Sequence, residues 1–103
     1  MLYRIDFPEC AVNERRLVKS QLDAIQERYG DRVVLATVRL EALLAAVPGF
    51  SCVISLNVNW WGKMVFESTD GDPMVAISRA LSQAEQALEA FVEEIPADYR
   101  SAA

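Results

Sequence analysis

Between Cys52 and Trp60 every second residue is apolar: Cys52, Ile54, Leu56, Val58 and Trp60. Val53, Ser55, Asn57 and Asn59 fill the places between them. A period of two belongs to a β-strand, whose successive side chains point to opposite faces. One face is apolar and the other mostly polar, as expected of an antiparallel sheet covered on one side only. A chain with such a strand must also supply the layer that covers it, and that requirement frames the rest of the sequence.

The cover comes from two amphipathic segments. Ile77, Leu81, Ala84, Leu88, Phe91 and Ile95 recur at alternating steps of four and three, one stripe of an α-helix. Asp72 is placed to cap its N-terminus, Pro73 suits its first position, and Pro96 stops it. Val18, Leu22, Ile25 and Tyr29 form a second stripe, predicting a helix over residues 13–29. Asn13 is the expected N-cap, and Gly30 the expected C-terminal residue with positive φ. Tyr3, Ile5 and Phe7 alternate with Leu2, Arg4 and Asp6, which predicts a first strand ended by Pro8. Arg32–Leu40, rich in Val and Leu, is the second strand. Met64–Ser68 is the fourth, after a hairpin turn at Gly62 and Lys63. The order β-α-β-β-β-α predicts an α+β two-layer sandwich with both helices on one face of a four-stranded sheet. Residues 1–96 read as a single domain and 97–103 as a loose tail. At 103 residues the chain can build one core without disulfides or metal.

Several chemistries are excluded at once. There is no His, which removes His-based triads and His metal ligands. Cys10 and Cys52 lie far apart with no CxxC, too few for a zinc site, and a single pair is weak evidence for secretion even if it forms a disulfide. Glu9 beside Cys10 works against a reactive thiolate there. Asp70 and Asp72, with Glu67 nearby, are accounted for by a turn and a helix cap, and no third metal ligand follows at calcium-loop spacing. No Gly-rich phosphate loop or nucleophile elbow occurs. The sequence therefore predicts no enzyme, no cofactor and no metal. The N-terminus lacks a secretory pattern, and no apolar run approaches the ~20 residues that span a bilayer. The expected setting is the reducing cytoplasm, away from membranes.

The element order and two short motifs resemble a known family. Glu27-Arg28-Tyr29-Gly30-Asp31-Arg32-Val33 leads into the second strand, and Gly71-Asp72-Pro73-Met74-Val75-Ala76-Ile77 opens the last helix. Both are similar to segments of the ribosome hibernation promoting factor and protein Y family, also known as ribosome-associated inhibitors or sigma-54 modulation proteins. The likeness spans roughly residues 2–95. It implies parallel pairing of the first two strands, with the other pairs antiparallel. It also implies binding to the small ribosomal subunit and its rRNA in the channel used by mRNA and tRNA, which blocks translation under stress. The reading is of a short form, without the dimerising tail of longer members.

The charges depart from that family, in which both helices are rich in Lys and Arg. Net charge is −5, which opposes non-specific nucleic-acid binding by bulk charge. Residues 13–32 carry five basic and four acidic residues, net +1. Residues 73–95 carry Arg79 against Glu85, Glu89, Glu93 and Glu94, net −3. The basic cluster is Arg15, Arg16 and Lys19. Arg15 and Lys19 are four apart and share a helical face from which both can reach phosphates; the plainer alternative is a solvated helix surface. Arg79, Lys63 and Arg4 are weaker RNA-binding candidates, and Arg39 is another single cation. A second departure is Glu41–Phe50, apolar where a polar turn is usual. It reads as a short helical turn at the domain edge or as an exposed patch for a partner, with Leu43, Leu44, Val47 and Phe50 as interface candidates. Strand alternation sends Trp60 to the core and Trp61 to the outer face. There Trp61 either packs beside Val53 or Val65 or offers an exposed anchor.

Two functions follow. The first is a ribosome-associated translation regulator acting by steric occlusion. The alternative is an acidic module that keeps the fold but binds a basic protein or a second copy of itself, as a homodimer.

Overall fold

The structure, a computed structural model, describes residues 1–8, 11–44, 47–59 and 61–94, with described side chains ending at Phe91. Cys10, Trp60, the last stripe residue Ile95 and the tail expected at 97–103 lie outside the described residues. The elements are β1 (Leu2–Asp6), α1 (Val12–Tyr29), β2 (Val33–Leu43), β3 (Gly49–Val58), β4 (Gly62–Asp70) and α2 (Pro73–Glu94). The sheet order is β1-β2-β3-β4. β1 runs parallel to β2, with Leu2 opposite Leu35 and Asp6 opposite Arg39. β2–β3 and β3–β4 are antiparallel. This is the expected α+β two-layer sandwich, with the pairing that the family resemblance implied.

The alternation in β3 becomes burial. Cys52, Ile54, Leu56 and Val58 are buried in one core with both helical stripes, Ile77, Leu81, Leu88 and Phe91 of α2, which packs on β3 and β4, and Val18, Leu22, Ile25 and Tyr29 of α1, which packs on β1 and β2. Ala76, Ala80 and Ala84 are fully buried along α2, and their small side chains let that helix lie close on the sheet. Tyr3, Ile5, Met64 and Phe66 pack against the same core from the outer strands.

The helix ends divide in outcome. Asp72 caps α2 as expected, its Oδ1 accepting from the Met74 amide at 2.9 Å, with Pro73 as the first helical residue. Asn13 does not cap α1. The helix starts at Val12 and its N-cap is Ala11, with no side-chain hydrogen bond. A buried Ala11, its amide bonded to the Pro8 carbonyl at 3.0 Å, fixes the entry instead. Gly30 sits at φ −56°, right-handed rather than positive. What requires glycine there is space, because a Cβ would lie 2.5 Å from the Gln26 carbonyl oxygen. Positive φ appears at Gly62 (111°), where β4 leaves the turn after Val58.

The strand ends differ from the sequence reading: β3 runs from Gly49 to Val58, and Gly62 and Lys63, expected in the hairpin turn, are already paired with Val58 and Asn57 in β4. β4 reaches Asp70, opposite Phe50. β2 continues to Leu43, with Glu41, Ala42 and Leu43 paired to Ser51, Phe50 and Gly49. The expected helical turn over Glu41–Phe50 is therefore wrong in its described part, because cross-strand hydrogen bonding to β3 carries those residues on in β conformation. The register slips between Val33 and Leu35, leaving Val34 as an extra residue in β2. That bulge puts Val33 and Ala36 both on the core side, so strict alternation fails across it.

Candidate functional site

Arg15, Arg16 and Lys19 all stand exposed on α1. At 100° per residue, Arg15 and Lys19 lie on one flank of the buried stripe, and Leu17, Gln21 and Arg28 lie on the other. The second flank faces α2. Leu17 and Gln21 line a shallow groove with Ser78, Leu81, Ser82 and Glu85, and Arg28 meets Glu89 at 3.6 Å. The basic cluster is thus turned away from α2, beside the end of β1. Arg15 Nη2 donates to the Phe7 carbonyl at 3.4 Å, a long bond that leans the guanidinium against the strand end. Among the described residues, none of the three cations has a carboxylate partner.

The other cations are committed or distant. Arg79 Nη1 meets Asp70 Oδ2 at 3.2 Å, and Asp70 also accepts from the Asp72 amide. Arg39 lies between Asp6 and Glu41, at 3.4 Å from each. Arg28 adds the face of Tyr29, 5.0 Å from the ring centre. Exposed pairs of this kind contribute little to stability, but a phosphate must compete with the carboxylate for the cation. Arg4 and Lys63 fall on the outer sheet face, on β1 and β4, with Thr37 and Asn57 as their neighbours in register. The sheet separates them from α1, so the six basic candidates do not form one patch. The cluster that holds together is Arg15, Arg16 and Lys19.

The apolar interface candidates divide as well. Leu44 is fully exposed at 102% and Val47 is exposed at 81%. Leu43 and Phe50 are half-buried, and Phe50 packs against the core. The end of the β2–β3 hairpin therefore exposes Leu44 and Val47, while Leu43 and Phe50 are partly covered. Trp61 departs from expectation. It is 58% exposed, and its ring meets that of buried Phe91 edge-on at 5.3 Å and 71°. Strand alternation does not govern it, because Trp61 belongs to the turn before β4 and so swings to the helix side.

Cys52 is a buried free thiol whose pKa is pushed up by burial from 9.0 to about 11. It stays protonated at neutral pH and is a poor nucleophile. Among the described residues no group of three His, Cys, Asp or Glu is placed to hold a metal, and no helix is long and apolar enough to cross a membrane. Sequence reasoning missed the bracketing of Arg39 and the occupation of Arg79. Both depend on which residues become neighbours across strands or across a turn.

No family model and no curated protein matches the chain. Among solved structures it is similar to the N-terminal domain of protein Y from Thermus thermophilus, at 26% sequence identity and a TM-score of 0.68. The match covers 87% of this chain and 97% of that domain. In its architecture as in its motifs, this chain resembles protein Y.

Proposed function

From the fold it shares with the protein Y N-terminal domain, we infer that this chain is a non-enzymatic, ribosome-associated translation regulator of the hibernation-factor kind. It acts by occupying the small-subunit channel through which mRNA and tRNA pass, in the cytoplasm. The observation that carries this reading is a structural match spanning nearly the whole of the protein Y domain.

Arg15, Arg16 and Lys19 supply the phosphate contacts. They are exposed, lie within five residues of one helix and have no carboxylate partner among the described residues. Cations of this kind release counterions from RNA on binding, which makes the affinity depend on salt. Glu85 and Glu89 on α2 repel the same backbone, so α1 leads the contact and affinity is lower than two basic helices would give.

Co-sedimentation with purified subunits at low and raised salt tests the reading. Pelleting with the small subunit should weaken as salt rises. Changing Arg15, Arg16 and Lys19 together to Ala should flatten the salt dependence by about two to three units of log K per log salt. Absence of pelleting at low salt would leave the fold without this function. The acidic α2 and the exposed Leu44 and Val47 would then favour the second reading, a module for a basic protein partner.

A further inference from the structure

The outer face of the sheet, the one without helices, has an ordered charge pattern that the ribosome reading does not use. Taken in register across the strands, one end carries Leu2, Leu35, Asn57 and Lys63, followed by Arg4, Thr37, Ser55 and Val65. Its charges are Arg4 and Lys63, both positive. The other end carries Asp6, Arg39, Val53 and Glu67, followed by Glu41, Ser51 and Thr69. There Arg39 is held by Asp6 and Glu41, and Glu67 accepts from Ser51 Oγ at 3.1 Å. The first end has a net charge of +2 and the second −2. Between and beside the charges are apolar side chains in water, with Leu2 at 73% and Val65 at 58% exposure.

We propose that this face is a docking surface for a second copy of the same chain. A two-fold axis parallel to the sheet, perpendicular to the strands and about 5 Å outside the free face, turns the positive end of one copy over the negative end of the other. Strands then stack on strands, within the roughly 30° that aligned sheets adopt. Such an interface is isologous, so each complementary contact is made twice. The same operation carries Leu43, at the projecting end of β2, towards the end where Val34 stands exposed. The alternative two-fold, along the strands, sets Asp6 against Glu67 and is repulsive. The charge pattern therefore selects the orientation as well as the partner.

The surface is modest. Four strands about 4.8 Å apart and five to six residues deep give a footprint of roughly 400 Å² per copy. At about 800 Å² for the pair this is less than the roughly 1,200 Å² of a stable dimer, so the association is weak and transient and depends on the charge complementarity. The dimer forms at high concentration and dissociates on dilution, which sets the range of the test.

Sedimentation equilibrium of the whole chain, from about 10 to 500 µM at low salt, should show a monomer–dimer equilibrium that weakens by tenfold or more at raised salt. A variant with Arg4→Glu and Lys63→Glu has two negative ends. One with Glu41→Lys and Glu67→Lys has two positive ends. Each should stay monomeric alone, and mixing the two should restore the dimer. All four positions are exposed, so far-UV circular dichroism should match the parent. A parent that stays monomeric throughout overturns the proposal. So does a dimer indifferent to these changes, or a pair of monomeric variants that fail to associate when mixed. No ribosome enters the measurement, so its result is independent of the proposed function.

Discussion

α1 and α2 have the same inward task and opposite exteriors. Each lays one apolar stripe on the same sheet face, and both stripes are buried. Outside, α1 presents Arg15, Arg16 and Lys19 with no acidic partner among the described residues, whereas α2 has one arginine, already paired with Asp70, and several glutamates, one of which meets Arg28 of α1. The sheet dictates only what faces it. The outward residues are set by what the helix meets beyond the fold, so one architecture can carry two helices of opposite outer charge.

The sharpest break of this comparison is in the core, where the two helices should behave alike. Leu22 on α1 and Leu88 on α2 are both at 0% exposure. Truncating either to Ala should cost about 2–5 kcal/mol in denaturant unfolding. A marked inequality would show that one helix is merely appended. Next comes the outer face, where they should differ. Changing Glu85 and Glu89 to Lys should tighten small-subunit binding roughly tenfold at low salt, about 1.4 kcal/mol. The same change removes the partner of Arg28. Unchanged binding would mean that α2 does not face the RNA. The smallest effect concerns how the helices begin. Asp72→Ala should lower thermal stability by about 1 kcal/mol through the lost cap, while Asn13→Ala should be near neutral. Equal losses would contradict the capping geometry.

The sequence was most legible where periodicity and burial coincide. Leu56 and Leu88 are readable because every neighbour two or four positions away repeats the pattern. The Asp72-Pro73 helix start is readable because a cap is a local interaction. Legibility fails at Val34, where one inserted residue reverses the parity of the strand, and at Glu41–Leu43, where pairing with Ser51, Phe50 and Gly49 overrides a helix-favouring composition. It fails again at Trp61, which lies in a turn where alternation carries no information. For the candidate site, the proximity of Arg15, Arg16 and Lys19 follows from helix geometry alone. That Arg79 is occupied depends on how the turn from β4 into α2 folds back, and that Arg39 is occupied and Arg4 and Lys63 lie behind the sheet depends on strand registers that no local pattern encodes.

The parallel pairing of β1 with β2 also bears on the order in which the molecule assembles. β2, β3 and β4 are joined by short reversals, so their contacts close small loops. Leu2 must find Leu35 across the whole of α1, and such non-local contacts form slowly. On a translating ribosome β1 emerges first, but its partner strand is made only after α1 is complete. Of the three strand pairings, β1 with β2 is the one that always closes a loop of about 33 residues, an entropic cost the two hairpins do not share in full.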